Sequence, residues 1–203
     1  GSGKSEFLQS LVVAFAAKIP PDLLNFVLID YKGGSAFREV AALPHVVGVV
    51  TDLDERLSAR ALTSLRAEMR RRERLLATTT PPATNIIEYQ SQPREVPLAN
   101  VLIIIDEFHR LVSEQPDFVD QMIQIAQQGR SLGVHLMLST QKPSGVISDH
   151  IRANTNLRIC LRVTDEADSR DVLGGPEAAS IPRDLPGRVY IRAGNDPLVA
   201  CQT

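Results

Sequence analysis

Apolar residues along this chain fall into two alternating patterns, short β-branched runs and longer stretches with one apolar face. Several short runs are apolar at every position, which is typical of strands buried on both faces of a parallel sheet. Strands are predicted at 25–30, 46–51, 101–106, 134–139, 157–163 and 188–192. Helical spacing predicts helices at 5–18, 54–76, 116–130 and 166–173. The alternation predicts an α/β fold with a mostly parallel sheet flanked by helices.

One stretch, 78–97, lacks either pattern and is rich in Thr, Pro, Gln and Asn. Such a composition is typical of a connecting loop, and only a short helix at 86–89 is predicted within it. Neither a repeat nor a change of composition divides the rest of the chain. We therefore expect one domain over residues 1–203.

Composition narrows the classes of function. The chain has 203 residues, 43% of them hydrophobic and 23% charged, and its net charge is −2, which is the profile of an ordinary globular domain. That charge gives no general attraction to nucleic acid, so DNA binding would need a local basic patch. Cys160 and Cys201 lie too far apart for a zinc-ligand spacing. No apolar run approaches the roughly 18 residues of a membrane span, so we expect a cytosolic protein or a soluble part of a larger one.

The chain begins with Gly1-Ser2-Gly3-Lys4-Ser5, which matches the last part of the phosphate-loop motif G-x-x-x-x-G-K-[ST]. In such a loop the glycines let backbone N–H groups point at phosphate oxygens, and the following helix directs its positive end at the same place. Lys4 would contact the β- and γ-phosphates of ATP, and Ser5 would bind Mg²⁺. The first glycine of the motif would precede Gly1, so we expect a domain truncated inside its loop. The alternative is a flexible Gly-Ser leader followed by a lysine.

The predicted strand 101–106 ends in two acids, Asp106 and Glu107. Ligands of open α/β sheets bind at the carboxyl ends of the strands, which is where these carboxylates would emerge. Asp106 would hold Mg²⁺, and Glu107 would take a proton from the attacking water. The alternative is an acidic turn that only ends a strand. Together with the phosphate-loop motif, the pair predicts hydrolysis of a nucleoside triphosphate.

Further motifs at the ends of the predicted elements combine glycines, charged residues and small polar residues. They are Gly1-Ser2-Gly3-Lys4-Ser5-Glu6, Leu28-Ile29-Asp30-Tyr31-Lys32-Gly33-Gly34, Leu43-Pro44-His45-Val46, Glu68-Met69-Arg70-Arg71-Arg72, Asp106-Glu107, Gly129-Arg130-Ser131-Leu132-Gly133-Val134-His135 and Ser139-Thr140-Gln141-Lys142-Pro143. Over essentially the whole chain this set resembles the FtsK/SpoIIIE family of ring ATPases. DNA translocases of that family usually carry Asp-Pro-Lys after the second strand. The motif from Asp30 to Gly34 is instead similar to that of the EccC/EssC ATPases of type VII secretion.

The resemblance implies a RecA-like phosphate-loop fold and an ATPase that uses Mg²⁺. It also implies that the strand ending at Ser139 lies beside the strand ending at Asp106, so that Gln141 would sense the γ-phosphate or its water. The alternative for Gln141 is a polar strand terminus.

Ring ATPases usually complete each site with an arginine from a neighbouring subunit, because a cation stabilises the charge of the transition state. Arg130 is our candidate, and its alternative role is to cap the helix that precedes it. Arg72 is a second candidate, on the apolar stripe of the helix 54–76, where its alternative is a packed stem with the guanidinium in water. Arg152, Arg158 and Arg170 have weaker grounds.

These inferences predict an ATP-hydrolysing motor domain that powers protein export through a type VII secretion system. A DNA translocase and a docking module for a substrate or linker are the alternatives. The expected partners are neighbouring ATPase domains or subunits in a ring or tandem array and a secreted helical protein, and DNA is less favoured. Contact with a membrane would come only through other parts of a longer chain, so the domain is expected to be the cytoplasmic part of a membrane-anchored protein.

Overall fold

The computed structural model describes residues 3–31, 36–51 and 54–203. Gly1 and Ser2 of the phosphate-loop motif, and residues 32–35 of the motif after the second predicted element, lie outside the described residues. The chain forms two compact units, one of residues 11–139 and the other of residues 1–10 with 140–203. We call them the parallel unit and the antiparallel unit after their sheets. The single domain predicted over 1–203 stays a prediction.

The parallel unit contains a four-stranded sheet in the order β2-β1-β3-β4. Its strands are β1 (Leu24–Asp30), β2 (Val46–Val50), β3 (Asn100–Asp106) and β4 (Val134–Leu138). All neighbouring strands are parallel, which confirms the predicted parallel sheet and its strands to within about a residue at each end. The central strands β1 and β3 are buried because both faces are apolar, and Phe26, Leu28 and Ile104 are fully enclosed.

A side-chain cap or a proline marks the start of three of the helices between residues 4 and 129. The helices of this range are α1 (Lys4–Lys18), α2 (Glu55–Thr78), α3 (Ile86–Gln90), α4 (Phe108–Glu114) and α5 (Pro116–Gly129). Asp54 caps α2 by accepting a hydrogen bond from the N–H of Leu57 at 2.7 Å, and Pro116 occupies the first turn of α5. A 3₁₀ turn, Arg130–Leu132, joins α5 to β4. The short helix α4 was not predicted.

The apolar stripe of α2 includes a buried arginine. Leu62, Met69 and Leu76 are buried as the helical spacing predicts, and Arg72 is only 2% exposed between them. Its Nε donates to Oε1 of Glu68 at 2.8 Å and its Nη1 to the carbonyl of Leu132 at 2.8 Å. Burial lowers the pKa of Arg72, and the hydrogen bond with Glu68 opposes that shift. The alternative of a guanidinium in water is therefore wrong.

The antiparallel unit has its own sheet, in the order β5-β6-β7. Its strands are β5 (Leu157–Leu161), β6 (Arg188–Ala193) and β7 (Val199–Gln202), and its helices beyond the start of α1 are α6 (Asp149–Asn154) and α7 (Glu166–Leu173). Its core contains Cys160, Leu173, Ala178 and Ile181. The structure thus differs from a uniform βαβ alternation, because β5 and β6 pair in an antiparallel sheet with a strand, β7, that was not predicted.

Candidate functional site

Of the predicted phosphate-binding residues, Gly3, Lys4 and Ser5 lie at the N-terminus of α1, in the antiparallel unit. Gly3 has φ +75°, a backbone conformation that glycine adopts at little cost. Its carbonyl accepts the N–H of Phe7 at 2.9 Å and so closes the first helical turn. Lys4 is the first helical residue and is 7% exposed, and Ser5 follows it half-buried. The N-terminus of this 15-residue helix is suited to an anion.

Two carboxylates lie side by side at the carboxyl ends of β1 and β3 in the parallel unit. Asp30 and Asp106 are partners in the strand register and are 1% and 3% exposed. Oδ1 of Asp106 accepts the N–H of Glu107 at 2.9 Å, and Oδ2 of Asp30 accepts the N–H of Ala36 at 3.0 Å. We call this side of the sheet the carboxyl edge. The sequence analysis gave Asp30 no role, although β1 and β3 both end in Ile-Asp.

Glu107 occupies a strained turn between β3 and α4. Its φ of 55° and ψ of 40° lie in the left-handed region, and within the described ranges no other non-glycine residue has a positive φ. Such a conformation typically costs about 1–3 kcal/mol and is concentrated at functional sites. The Glu107 side chain is buried, and Nδ1 of His109 lies 3.1 Å from its Oε2. The turn therefore holds a carboxylate beside Asp106 at the carboxyl edge.

The end of β4 completes this edge. The N–H of Ser139 donates to the carbonyl of Ile105 at 2.9 Å, and the N–H of Phe108 donates to the carbonyl of Ser139 at 3.0 Å. Gln141 follows two residues later, in the antiparallel unit. Oγ1 of Thr140 accepts the N–H of Lys142 at 3.0 Å and fixes this turn. The implied adjacency of the strands that end at Asp106 and Ser139 is present.

Arg130 lies at the other end of the same sheet. It is exposed, and it begins the 3₁₀ turn that leads into the first residue of β4. The N–H of Val101, at the start of β3, donates to the carbonyl of Gly133 at 2.7 Å. From there β3 runs its length to Asp106, about 3.3 Å per residue, so Arg130 does not reach the carboxyl edge of its own unit. This position is therefore not compatible with an action of Arg130 at the carboxyl edge of its own unit.

Three arginines cluster in the antiparallel unit. Arg158 of β5 and Arg192 of β6 are partners in the strand register. The Nε atoms of these two residues and of Arg152 in α6 are buried, with no hydrogen-bond partner in the described part of the chain. Burial, followed by the charges of Arg192 and Arg152, lowers the pKa of Arg158. Oδ1 of Asp171 lies 3.5 Å from Nη2 of Arg152. Like charges that face each other across two strands are destabilising, so this cluster is suited to an anion.

The parallel unit also has a groove between α2 and the sheet. Its volume is about 370 Å³. Apolar side chains from the strands and from α2 line it, namely Val27, Val47, Val101 and Leu65, and Glu68 and Arg71 lie on the α2 side. Val47 is 61% exposed, which is unusual for an apolar residue on a strand.

No helix of the described ranges is long and apolar enough to cross a bilayer.

Comparison with known proteins identifies relatives of this chain and of its fold. A family model described as the FtsK/SpoIIIE family matches residues 1–145. The type VII secretion system protein EssC of Staphylococcus aureus is 44% identical over 202 residues, which is 98% of this chain and 13% of EssC. The chain therefore spans about an eighth of the length of that relative.

Two solved structures share the fold. The cytoplasmic domain of the Thermomonospora curvata type VII secretion ATPase EccC matches with a TM-score of 0.87 and 36% identity, over 100% of this chain and 24% of that one. The pCW3 conjugation coupling protein TcpA, solved in monomer form with ATPγS, matches with a TM-score of 0.80 and 26% identity over 100% of this chain and 57% of that one. These matches confirm the predicted phosphate-loop ATPase fold and the resemblance drawn from the motifs.

Proposed function

Because the chain belongs to the FtsK/SpoIIIE family, we propose that it is an ATPase domain that hydrolyses ATP with Mg²⁺ and powers protein export through a type VII secretion system. The observation that carries the proposal is the acidic carboxyl edge, where the buried Asp106 adjoins the strained Glu107. A buried strand that merely ended in an acidic turn would gain nothing from a left-handed glutamate. The export itself would be the work of a longer protein of which this domain is one part.

The described residues include the groups that would hold a magnesium nucleotide. The N-terminus of α1 with Lys4 offers N–H groups and a cation to phosphate oxygens, and Asp106 offers a carboxylate to Mg²⁺. Within the described ranges no three His, Cys, Asp or Glu side chains form a metal cluster. This suits Mg²⁺, which usually takes one or two carboxylates and fills its other positions with water and phosphate oxygens. When bound, Mg²⁺ would neutralise charge on the phosphates.

Each site residue has one role in the proposal. Gly1, Ser2 and Gly3 form the end of the phosphate loop, Lys4 binds phosphate, and Ser5 and Asp106 hold Mg²⁺. Glu107 accepts the proton of the attacking water. Gln141 senses the γ-phosphate, because it follows the strand beside β3 by only two residues. The domain works on the cytoplasmic side of a membrane to which other parts of the longer chain are anchored.

An arginine acting in trans would complete the site in a ring or tandem array. Arg130 is our sequence candidate, and its exposed position at the far end of the sheet leaves it available to a neighbour. The cluster of Arg152, Arg158 and Arg192 is the second candidate. Its crowding of like charges supports it, because a phosphate from an adjacent domain would relieve the repulsion. We therefore infer that the trans arginine is either Arg130 or a member of this cluster.

A secreted helical protein is the proposed cargo. The groove lined by Val27, Val47 and Leu65 supports a docking role, because it offers apolar surface to an apolar face of a helix. DNA translocation is less favoured, since the basic residues 70–74 of α2 are interleaved with Glu73 and are partly paired with Glu68. Two salt bridges of this kind reduce the positive charge that a phosphate backbone would meet.

The first experiment tests hydrolysis in the intact parent protein. Glu107→Gln should bind ATP but lose turnover, because it removes the proton acceptor and keeps the shape of the side chain. A general base is typically worth about 10²–10⁴-fold, so a variant that kept more than about a tenth of the wild-type rate would overturn the assignment. Lys4→Ala should instead weaken ATP binding. Glu73→Gln, an exposed acid on α2, is the matched control and should change neither quantity.

The second experiment separates protein export from DNA translocation. ATP turnover of the intact parent is measured with and without duplex DNA at about 150 mM salt, where binding that depends on phosphate contacts is already weakened. We expect no stimulation by DNA and direct binding of the cognate helical substrate. Strong stimulation by DNA together with no binding of the substrate would make the translocase the better assignment.

A further inference from the structure

The turn that carries Glu107 also carries a histidine in contact with it. Nδ1 of His109 lies 3.1 Å from Oε2 of Glu107, while the two side chains are 21% and 4% exposed. The residues are separated by one position, with Glu107 just before α4 and His109 in its first turn. Both residues lie in one short segment, so the contact does not depend on any other element of the fold.

The direction of the Glu107 side chain is unusual for its position. A residue that precedes a helix commonly turns its side chain back to accept an N–H of the first turn, but Glu107 makes no side-chain cap bond to α4. Its main-chain carbonyl takes the N–H of Arg110 at 3.1 Å, and the N–H of Phe108 is used by the carbonyl of Ser139 at 3.0 Å. The N–H groups of Phe108 and Arg110 are thus already used, and the carboxylate lies against the imidazole ring instead.

The helix that carries His109 is anchored at its other end. The hydroxyl of Tyr31, the residue after β1, donates to Oε2 of Glu114, the last residue of α4. Leu111 of α4 is fully buried and Phe108 is 2% exposed, so the helix is also packed on its inner side. His109 consequently projects from a short helix that is packed on its inner side and held by Tyr31 at its end.

We propose that His109 is a positioning residue for the catalytic base. In the loaded site the 3.1 Å contact between Nδ1 of His109 and Oε2 of Glu107 becomes a hydrogen bond, which holds the carboxylate in one rotamer for accepting the proton of the attacking water. The inference rests on the proposed role of Glu107 as the base. A flexible three-carbon side chain on a strained backbone has several orientations available, and a single donor beside it removes most of them. Misplacement of a reacting group by about 1 Å is worth on the order of 10²-fold in rate.

The test uses the intact parent protein and three substitutions of His109. His109→Ala and His109→Leu remove the donor, and Leu keeps much of the bulk. His109→Asn keeps a donor near the position of Nδ1. We expect Ala and Leu to lower kcat by about 10- to 100-fold with the KM for ATP unchanged, which is the range seen when supporting hydrogen bonds around a site are removed. Asn should restore most of the loss. His150→Asn, at an exposed position, should leave kcat unchanged.

A combined variant separates this proposal from the assignment of the base. When Glu107 is already glutamine, adding His109→Ala should cause no further loss, because the histidine acts through that carboxylate. Full or increased turnover in His109→Leu, or equal losses in the Ala and Asn variants, would overturn the positioning role. If Glu107→Gln itself retains turnover, the proposed function fails, whatever the histidine variants do. Thermal unfolding of each variant near the wild-type midpoint would show that the losses are not losses of folding.

Discussion

Replacing Arg72 with alanine measures what a buried arginine on the stripe of α2 contributes to stability. The side chain is 3% exposed and bridges Glu68 on its own helix to the carbonyl of Leu132 in the 3₁₀ turn that follows α5. It therefore joins α2 to the turn that leads into β4. Alanine removes both hydrogen bonds together with the packed stem of the side chain.

The magnitude follows from what each partner loses. The buried Leu132 carbonyl loses its donor, and an unsatisfied buried polar group costs about 1–3 kcal/mol. Breaking a fully buried ion pair costs about 3–5 kcal/mol, but Glu68 is 32% exposed and keeps Arg71, so its share is smaller. We expect Arg72→Ala to lower the free energy of unfolding by about 2–4 kcal/mol in total.

Urea unfolding at pH 7, followed by circular dichroism, measures this loss. Arg71→Ala is the matched control, because Arg71 also pairs with Glu68, at 2.7 Å, while its side chain is 50% exposed. An exposed pair is worth about 0–1 kcal/mol, so the control should lose at most that amount. Equal losses in the two variants would show that burial of Arg72 contributes nothing and would refute the reasoning.

Three further predictions follow from packing and ionisation. Gly129→Ala should lower the free energy of unfolding by about 1–3 kcal/mol in urea melts, because the new methyl would lie 2.7 Å from Cβ of Val134; a stability equal to wild type would contradict this. Cys160 should resist thiol reagents in the folded protein at pH 8 while Cys201 reacts, because burial raises the pKa of the Cys160 thiol to about 12; labelling followed by mass spectrometry decides it. Burial raises the pKa of Glu68, but hydrogen bonds from its two arginines outweigh that effect and lower it below its usual value of 4.5. The stability that the Glu68 carboxylate contributes is thus present above about pH 4.5 and is lost as the pH falls through the lowered pKa. Glu68→Gln should therefore be less stable than wild type at pH 7, and the difference in the free energy of unfolding should be smaller at pH 3. A difference that did not change with pH would show that ionised Glu68 is not the cause.

The sequence predicted the long, strongly patterned elements of this fold. The strand that ends at Asp106 is apolar on both faces and flanked by polar residues, so its position was readable without tertiary information. The helix α4 was missed because seven residues are too few for a helical period to be distinct from the loop around it. The strand β7 was missed because its four residues, Val199–Gln202, are too few to show an alternation of apolar and polar positions.

The sequence identified two acids of the candidate site as a motif, but it did not identify the residues that lie around them. Spacing identified Asp106 and Glu107, whereas Asp30 enters the site only through the strand register, which no local pattern specifies. The burial of Arg72 depends on a carbonyl 60 residues away in the chain, and helical periodicity alone left its guanidinium in water. Likewise, the distance of Arg130 from the carboxyl edge depends on the direction of β4, which only the assembled sheet reveals.

The left-handed backbone at Glu107 has a consequence for how such a domain changes over time. Glycine would relieve the conformational cost of about 1–3 kcal/mol, so a mutation that deletes the acid also stabilises the backbone at that turn. If Glu107 is the base, as proposed, replacing it with glycine would remove hydrolysis and stabilise the fold at the same time, so a copy of the domain that no longer needed to hydrolyse ATP would readily accumulate this change. Under the proposed role of Glu107, the left-handed turn is a position at which hydrolysis is lost more easily than it is regained.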